Sequence, residues 1–446
     1  MTAAGSLQTD VLVVGGGLAG ALAALAARDA GATVALARRS PGATALSSGA
    51  VSVAPDPTAL PSTTFAARAG TVESARRLAA LQPGHPYAAV GVALDRLWES
   101  LEFAARELPL LAPPSPRPRW LATPSGSARP CGLCQRSMVA GDLAEAKGIL
   151  AVVAPRGHLW FDAGLVAGGV NRLAALGAPR AVIARLDLFM WEEAALGRPH
   201  DLARLLEAPG AAEAVGAMLR RSLPAGAAAA LFPPLLGLST AARVPERIAH
   251  AAGIPVAEFL SDLPSVPGLR LAAAIDERLA AAGVELVRGE LAGRGPGEAV
   301  SAGGREVRAR SWVLASGRFV GGGIARRGTL VEPLLGIPVL ASDGPFSQAG
   351  AHLASRPAAS LTRRDSGSAQ PLLSAGLKVD ADLRPLGLDG RPVHERLFAA
   401  GAVIGGHDQA ADGTGLGVAV FTGYLAGRSA AAAGGRLVPA PRGVRA

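Results

Sequence analysis

A glycine-rich segment near the start of the chain constrains the fold more than any other feature. Residues 9–14 are an apolar, β-branched run with the length of a buried strand. The sequence GGGLAG at residues 15–20 follows directly and satisfies G-x-G-x-x-G. An Ala- and Leu-rich helix is predicted over residues 21–29, ending at Gly31, and a second strand over residues 33–37. This order of elements predicts a βαβ unit that binds a nucleotide.

The residues of this segment have distinct physical roles. Gly15 permits the tight turn after the strand, Gly17 lets the backbone approach a pyrophosphate, and Gly20 allows close packing of the helix on the strand. Leu18 and Ala19 complete the loop, and the phosphates would lie at the positive end of the helix dipole. A glycine-rich structural turn is the alternative, which the ordered elements on either side disfavour. We therefore expect these five residues to contact a cofactor.

The residue that ends the second predicted strand departs from the fingerprint. An acidic residue is expected there to bind a ribose hydroxyl, but the sequence has Arg38, followed by Arg39. Arg38 could accommodate the 2′-phosphate of NADP. Alternatively, the adenosine end is absent, as in a mononucleotide flavin, or the two arginines are a solvated pair.

Small residues at two later places predict further cofactor contacts. Ser47, Ser48 and Gly49 follow the second strand and offer hydrogen-bonding groups, although an ordinary polar loop would have the same composition. Much later, an apolar strand ends in Ala-Ser-Gly, a return to the nucleotide domain that is typical of flavoprotein folds. Ala315 and Gly317 of that strand are therefore expected to lie beside the cofactor.

A second glycine-lined helix start lies near the end of the sequence. Residues 396–402 predict a buried strand that includes Gly401, and Gly413, Gly415 and Leu416 lead into a long apolar helix. The positive end of that helix could face an anionic group or the N1–C2=O edge of a flavin. Close packing of the helix on the sheet is the alternative explanation of the glycines.

The composition excludes several classes of protein. Of 446 residues, half are hydrophobic and 18% are charged, which is typical of a globular protein. The formal charge of +9 comes from scattered arginines without basic runs that alternate with aromatics, so no nucleic-acid partner is expected. No secretory signal precedes the first strand, and the longest uncharged stretch, residues 222–242, contains three prolines. These features predict a cytoplasmic protein without a spanning helix.

The only two cysteines, Cys131 and Cys134, have C-x-x-C spacing. Two thiols cannot complete a four-thiolate zinc site or an iron–sulfur cluster, so no metal is expected. The spacing suits a redox dithiol, whereas a structural pair of reduced thiols is the simpler interpretation. So few cysteines also predict a reducing compartment.

The predicted elements give a discontinuous domain organisation. The fold class is α/β, a Rossmann-like FAD/NAD(P)-binding flavoprotein fold with an inserted cap or substrate domain. No second fingerprint follows a strand, which disfavours a separate nicotinamide-binding domain. The predicted segments are the nucleotide-binding βαβ unit at residues 1–55, the inserted cap or substrate region at 56–245, the central nucleotide-binding part at 246–340, a second cap segment at 341–392, and the last strand and helix at 393–446.

These motifs together resemble the B-type flavoprotein subunit of anaerobic glycerol-3-phosphate dehydrogenase, a family of the FAD-dependent oxidoreductase superfamily. The Ser-Ser-Gly after the second strand, the Leu-Ala-Ser-Gly with its glycine-rich sequel and the Gly-Gly-His-Asp segment discriminate better than the fingerprint. The similar stretches occur in the same order over nearly the whole chain, at residues 14–20, 46–49, 233–238, 264–270, 313–323, 332–336 and 397–420.

The resemblance implies oxidation of sn-glycerol 3-phosphate to dihydroxyacetone phosphate, with electrons passed toward a quinone. It also implies a second flavoprotein subunit and a membrane-linked iron–sulfur subunit as partners, and so a peripheral position at the inner face of the cell membrane. The flavin that it implies is FMN. This suits Arg38, which stands where the fingerprint has an acidic residue that binds a ribose hydroxyl. The fingerprint favours FAD, and both flavins stay open.

The implied chemistry defines candidate residues. Hydride transfer to flavin N5 from a carbon that bears a hydroxyl needs a base near that hydroxyl. His407 and Asp408 are the first candidates, although a loop histidine held by the backbone is the simpler interpretation of His407. Arg318, just after the Ala-Ser-Gly strand, is the candidate for binding the substrate phosphate. Two other functions stay open: a non-catalytic flavin electron relay, and an NADPH-linked flavin–dithiol reductase using the two cysteines.

Overall fold

The computed structural model describes residues 6–156, 158, 160–187, 197–289, 291–293, 295–327, 329–340, 362–365 and 368–434. The strands in this part of the chain are β1 Leu7–Val14, β2 Val34–Arg38, β3 Arg119–Ala122, β4 Ala128–Cys131, β5 Ile149–Pro155, β6 Arg180–Leu186, β7 Ala227–Phe232, β8 Val256–Glu258, β9 Glu285–Arg288, β10 Leu291–Ala292, β11 Ala299–Ala302, β12 Arg305–Leu314, β13 Ala325–Arg327, β14 Thr329–Val331 and β15 Leu397–Ala399. The α-helices are α1 Leu18–Asp29, α2 Thr71–Leu81, α3 Pro86–Ala89, α4 Leu97–Glu107, α5 Ala163–Arg172, α6 Pro199–Glu207, α7 Ala211–Ser222, α8 Val244–Ala252, α9 Val266–Ala281, α10 Pro371–Ser374 and α11 Gly417–Ala433.

The chain divides into two compact units. The first comprises the described residues of Met1–Ala43, Ala75–Glu107 and Ile275–Ala446. The second comprises the described residues of Thr44–Ser74 and Leu108–Ala274. Both units are discontinuous in sequence, as the predicted organisation is, but their boundaries differ from the predicted ones.

Residues 44–55, 75–107 and 246–274 group differently from the prediction, and residues 44–55, predicted in the nucleotide-binding βαβ unit, belong to the second unit. Residues 75–107, predicted as part of the cap, belong to the first unit because α4 packs on α11, with the rings of Phe103 and Tyr424 5.0 Å apart. Residues 246–274, predicted as part of the nucleotide-binding domain, belong to the second unit because β8 pairs with β7. Helical periodicity predicts such elements but does not say which sheet they join.

The predicted second cap segment comprises residues 341–392. Of these, residues 341–361, 366 and 367 lie outside the described part of the chain. Its described part groups with the first unit. Leu377 donates its backbone N–H to the carbonyl oxygen of Val403 at 2.8 Å, and Gly405 donates to the carbonyl oxygen of Leu377 at 3.0 Å. These two bonds fasten the segment to the loop that follows β15.

A seven-stranded sheet forms the centre of the first unit. Its order is β10–β11–β12–β1–β2–β9, and β15 also pairs with β12. β1 runs parallel to β12 and β2, and Val13 is aligned with Val313 on one side and Leu36 on the other. All three side chains are completely buried. Parallel strands covered on both faces need continuous apolar runs, which residues 11–14 supply. The predicted α/β fold with a parallel nucleotide-binding sheet is confirmed.

The helices α1 and α11 pack against each other through glycines. A Cβ at Gly423 would lie 2.5 Å from the carbonyl oxygen of Ala19, and a Cβ at Gly427 would lie 2.2 Å from that of Ala23. Side chains at these positions would separate the two helices. The contact therefore fixes the starts of α1 and α11, which both belong to the site described below.

Among the described residues, none of the helices combines the length and the apolar character that a membrane span requires.

The second unit has its own core. Its larger sheet has four strands, all parallel, in the order β6–β5–β7–β8. Val153 and Ala230 face an apolar cluster that includes residues of α6, α7 and α8, whereas Val152 and Leu231 face a cluster that includes residues of α5. Alternate residues of each strand thus point to opposite faces. A parallel sheet with helices on both faces is a complete α/β layer arrangement.

Candidate functional site

The predicted glycine cradle forms at the carboxyl end of β1. Gly15 has a φ of +121°, which side chains rarely allow, and its N–H donates to the carbonyl oxygen of Ala37 at 2.8 Å. A Cβ at Gly15 would lie 2.1 Å from the carbonyl oxygen of Ala315, and a Cβ at Gly20 would lie 2.0 Å from that of Gly15. Neither position can accept a side chain, so the two glycines keep β1, α1 and β12 in close approach.

The helix α1 begins directly at this cradle. Gly17 is its N-cap, with φ −78° and ψ 179°, and the N–H of Ala21 donates to the carbonyl oxygen of Gly17 at 2.9 Å. The first-turn amides of a helix have no intrahelical acceptor, and the first turn of α1 contains no acidic residue. Partial positive charge beside a surface without side chains fits the pyrophosphate of a dinucleotide. Leu18 and Ala19 stand in that same turn, and the contacts of all five residues with a cofactor stay a prediction.

Arg38 packs against the glycine loop and is buried. Its guanidinium is bidentate with the carboxylate of Asp276 on α9, at 2.5 and 2.7 Å, and the residue is buried. A Cβ at Gly16 would lie 2.3 Å from the Cδ of Arg38, so the aliphatic stem packs against the glycine loop. The interpretation of Arg38 as half of a solvated pair is therefore wrong. Since Asp276 compensates its charge, Arg38 also lacks the free guanidinium that a 2′-phosphate would need.

The end of β12 lies against the cradle. Ala315 donates its N–H to the carbonyl oxygen of Val14 at 2.8 Å, which joins the last residues of β12 and β1. The next residue, Ser316, has a buried hydroxyl without a hydrogen-bond partner. Gly317 follows with a positive φ where the chain turns away from the sheet. A buried hydroxyl without a partner at the edge of a glycine cradle is expected where a polar ligand binds.

The turn after β15 and the start of α11 belong to the same unit. A Cβ at Gly401 would lie 2.6 Å from the Cβ of Ala19, so this turn contacts α1. Leu416 is the N-cap of α11, whose first turn contains no acidic residue. Thr414, between Gly413 and Gly415, is completely buried, and its hydroxyl has no partner. The unit therefore offers two helix starts that suit an anionic or electron-rich group.

Ser47, Ser48 and Gly49 lie in the second unit. The carbonyl oxygen of Ser47 accepts a hydrogen bond from the hydroxyl of Ser265 at 2.6 Å. The carbonyl oxygen of Ser48 accepts one from the backbone N–H of Ser261 at 3.3 Å. These contacts give the segment a structural role within its own unit, and its predicted contact with a cofactor stays a prediction.

His407 is buried near two other basic groups of the first unit. Burial, the charge of Arg318 and the neighbouring His85 lower its pKa well below the ordinary value of 6.5. Neither ring nitrogen meets a partner at hydrogen-bond geometry, although the backbone of Gly405 slightly favours the protonated ring. A neutral, buried imidazole without a side-chain partner is able to accept a proton from a ligand. This geometry is compatible with the predicted role of His407.

Asp408 has a different environment from its neighbour. Its carboxylate accepts hydrogen bonds from the backbone N–H groups of Gln370 and Ala410, each at 3.0 Å. Its own N–H donates to the carboxylate of Asp412 at 2.7 Å. A carboxylate held by backbone amides organises the turn in which it lies. Of the two candidate bases, His407 is the one whose side chain accepts no hydrogen bond from the described residues.

Arg318 holds the loop that carries His407. It donates to the backbone carbonyl oxygens of Leu373, Ile404 and His407, the last at 3.1 Å. Burial lowers the pKa of Arg318 to about 10, and the nearby carboxylates of Asp408 and Asp412 oppose that shift. Its described contacts therefore go to the backbone, which gives the guanidinium a positioning role. Its predicted contact with a substrate phosphate stays a prediction.

The segment between α2 and α3 joins the site although its sequence predicts a place in the cap. The side-chain amide of Gln82 donates to the carboxylate of Asp412 at 3.0 Å. The ring of His85 lies edge-on to that of His407, with the centroids 5.6 Å apart. A histidine directly before a proline at a helix start is a signal of helix capping, but sequence does not show that it faces residue 407.

Cys131 and Cys134 are both free and buried in the second unit. Burial raises the pKa of each thiol to about 12. Since the thiolate is the reactive form, these thiols are poor nucleophiles at neutral pH. The structure therefore supports the structural interpretation of the pair over the redox dithiol.

Comparison with known proteins identifies the families that the chain is similar to. A family described as "FAD binding domain" matches residues 10–418. The probable B-type subunit of anaerobic glycerol-3-phosphate dehydrogenase from Halobacterium salinarum is 30% identical, over 96% of this chain and 99% of its own length. The corresponding B-type subunit from Pectobacterium atrosepticum is 28% identical, over 93% of this chain and 97% of its own length.

Solved structures with a similar course of the chain are more distant. The 3-ketosteroid Δ1-dehydrogenase of Sterolibacterium denitrificans is 16% identical with a TM-score of 0.43, and the alignment covers 95% of this chain and 99% of that one. The FrdA protein of E. coli quinol fumarate reductase is 12% identical with a TM-score of 0.37, over 96% and 71%. Scores this low permit no comparison of individual site residues.

The fold and the glycine cradle define a flavoprotein of the oxidoreductase class. The FAD family supports FAD as its flavin and does not support the FMN that the resemblance implied. The chain belongs to the FAD binding domain family and, within it, to the family of B-type subunits of anaerobic glycerol-3-phosphate dehydrogenase.

Proposed function

We propose that this chain is an FAD-dependent subunit that oxidises sn-glycerol 3-phosphate to dihydroxyacetone phosphate and passes the electrons toward a quinone. The observation that carries the proposal is the 30% identity to a named B-type subunit of this dehydrogenase over 96% of the chain. In this proposal a second flavoprotein subunit and a membrane-linked iron–sulfur subunit complete the complex. The chain would lie at the inner face of the cell membrane through these partners.

The residues of the first unit fit FAD. Gly17 would let the backbone approach the pyrophosphate, Gly15 and Gly20 allow the close packing that forms the cradle, and the start of α1 supplies amides and a positive dipole end. The start of α11, which follows the buried hydroxyl of Thr414, supplies a second positive helix end. Bound there, FAD would supply the hydride-accepting chemistry that oxidation of the hydroxyl-bearing carbon requires.

In the proposed reaction the protein provides orientation and a proton acceptor. His407 is neutral at physiological pH and takes the proton of the substrate hydroxyl in this proposal, although its lowered pKa makes it a weaker base than an ordinary histidine. Arg318 holds the backbone of the His407 loop through its carbonyl oxygens. The net charge of +9 would attract the dianionic phosphate to the protein.

A non-catalytic relay needs the same flavin cradle, so it is the alternative to test. The dithiol reductase is disfavoured by two observations, the burial of both thiols and the pairing of Arg38 with Asp276.

The test uses the purified chain under anaerobic conditions, alone and assembled with its partners. A catalytic subunit bleaches its flavin when glycerol 3-phosphate is added, and the product is dihydroxyacetone phosphate. A relay bleaches only in the presence of the second flavoprotein subunit, although dithionite alone still reduces it. A folded chain that releases no flavin on denaturation would contradict the whole proposal.

A further inference from the structure

We propose that His85 contacts the ligand of the first unit: its Nε2–H donates a hydrogen bond to an electron-rich oxygen of the bound flavin or of the substrate. This inference rests on the proposed function, because it takes a flavin and an oxygen-bearing substrate as the occupants of the site. It assigns His85 a role distinct from that of His407. His85 is a donor, whereas His407 is the proton acceptor.

The hydrogen bond at Nδ1 fixes the tautomer of His85. The backbone N–H of Tyr87 donates to Nδ1 at 3.1 Å, at the start of α3. A ring nitrogen that accepts a hydrogen bond carries no hydrogen, so the hydrogen of the neutral ring is on Nε2. The ring is completely buried, and burial lowers its pKa to about 3. His85 is therefore a neutral donor with no lone pair left to serve as a base.

The donor at Nε2 has no acceptor among the described residues. The atom is buried and makes no hydrogen bond. Native proteins rarely leave a buried N–H unpaired, because the group loses its water without gaining a partner. An oxygen of a ligand would provide the missing acceptor. A cation would not, since both nitrogens of the ring are already committed, one as an acceptor and one as a donor.

The ring of His85 is held against the loop that leads into α11. The backbone N–H of His85 donates to the carbonyl oxygen of Gln82 at 2.9 Å, and the side-chain amide of Gln82 donates to the carboxylate of Asp412. Its ring meets that of His407 edge-on. The same loop continues to Thr414, whose buried hydroxyl also lacks a partner. Two neighbouring rings with buried, unpartnered nitrogens, and a third buried, unpartnered polar atom in the same loop, indicate a ligand-binding surface more than an ordinary core.

The experiment compares three variants of the full chain with its flavin bound. His85→Asn keeps an acceptor for the Tyr87 N–H, because asparagine caps helix starts well, but it has no donor in the place of Nε2. His85→Gln can place an amide N–H near the position of Nε2. His394→Asn is the matched control, since Nδ1 of His394 accepts the backbone N–H of Arg396 at 3.0 Å in the same local pattern on the protein surface.

The measurements are the flavin absorbance spectrum, the flavin midpoint potential and the dissociation constant of glycerol 3-phosphate in the assembled complex. If the acceptor belongs to the flavin, His85→Asn shifts the spectrum and the potential, by about 30 mV for a tenfold change in relative affinity. If it belongs to the substrate, the spectrum stays the same and the dissociation constant rises roughly 2- to 12-fold. His85→Gln recovers part of either loss, and His394→Asn changes neither quantity.

A readout without turnover tests the tautomer itself. In ¹⁵N-histidine NMR of the flavin-loaded chain, the His85 signals, assigned by their loss in His85→Asn, should show a hydrogen on Nε2 at both pH 6 and pH 8. A hydrogen on Nδ1 would overturn the inference, as would a His85→Asn variant with an unchanged spectrum, potential and dissociation constant. Failure to bind any flavin contradicts the proposed function instead, so the two failures are distinguishable.

Discussion

The guanidinium of Arg38 and the carboxylate of Asp276 form a bidentate ion pair between the end of β2 and the helix α9. Only 5% of the Arg38 side chain is exposed, compared with 39% for Asp276. The pair therefore neutralises a buried cation directly beneath the glycine loop. An acidic residue at this strand end would face a ribose, whereas an arginine here faces the protein.

Removal of Asp276 should destabilise the chain. Asp276→Ala would leave the buried guanidinium without a partner, and we expect the free energy of unfolding to fall by about 1–3 kcal/mol, since the exposed side of the carboxylate limits the effect. Urea unfolding of the flavin-free chain measures it. Asp95→Ala is the matched control, because its pair with Arg76 is exposed on both sides and should contribute less than about 1 kcal/mol. Equal effects of the two substitutions would contradict a structural role for the buried pair.

Gly17→Val should abolish flavin binding while the chain still folds. The φ of −78° and ψ of 179° at Gly17 are accessible to valine, so the backbone is not strained. The branched side chain would instead occupy the space that the pyrophosphate needs. Flavin content per chain and the circular dichroism spectrum together measure the result. Gly168→Ala is the control, since the nearest atom to its Cβ is 3.8 Å away, and it should keep full flavin content.

The cradle could be predicted from the sequence because its signal is local. The G-x-G-x-x-G segment, the strand before it and the helix after it are adjacent in the chain, and Gly15 and Gly20 meet through the geometry of one turn. The partner of Arg38 could not be predicted in this way, because Asp276 lies 238 residues further along the chain. The contact exists because β2 and the part of α9 that contains Asp276 belong to one unit.

The same limit explains the missed histidine. The short segment around His85 gives no periodic signal of the sheet or helix against which it packs, and its neighbour His407 lies in a loop of the opposite end of the chain. The amphipathic helix α4 shows the same limit, because its apolar face could have covered either sheet. The spacing of apolar residues therefore predicts helices and strands well. It predicts poorly which of the two units each element joins.

Acid should destabilise the first unit through its buried histidines. Burial lowers the pKa of His85 to about 3 and that of His407 well below 6.5, whereas in the unfolded chain both have ordinary values. Below pH 6.5 the unfolded state therefore binds protons that the folded state does not. The free energy of unfolding falls with decreasing pH, by up to about 1.4 kcal/mol per pH unit for each histidine.

The variant His85→Asn isolates one of these two contributions. Between pH 5.5 and 4.5 its free energy of unfolding should depend on pH less steeply than that of the wild type, by about 1.4 kcal/mol per pH unit. Asp412, whose pKa burial raises, acts in the opposite direction in acid and is common to both proteins. Urea unfolding at several pH values measures both slopes. Parallel curves would mean that His85 is protonated in the folded chain.

The two cysteines should be dispensable for electron transfer. Both thiols are buried with raised pKa values, so iodoacetamide should react with them slowly in the native chain and rapidly after unfolding. The double substitution Cys131→Ala and Cys134→Ala should leave the rate of flavin reduction by substrate within about threefold. A hundredfold loss, near 2.7 kcal/mol of activation free energy, would instead favour the dithiol mechanism.

Substitution of Arg318 separates a positioning role from a phosphate anchor. Its donors reach three backbone carbonyl oxygens around His407, and lysine cannot reproduce that forked geometry. We therefore expect Arg318→Ala and Arg318→Lys to lower kcat of the assembled complex by a similar factor of about 10, or 1.4 kcal/mol, with flavin content unchanged. Inorganic phosphate, used as a competitive inhibitor, should keep its inhibition constant in both variants. An anchor would behave differently, because lysine keeps the charge that attracts phosphate. An inhibition constant that rises about tenfold in Arg318→Ala but not in Arg318→Lys would identify Arg318 as the phosphate-binding residue.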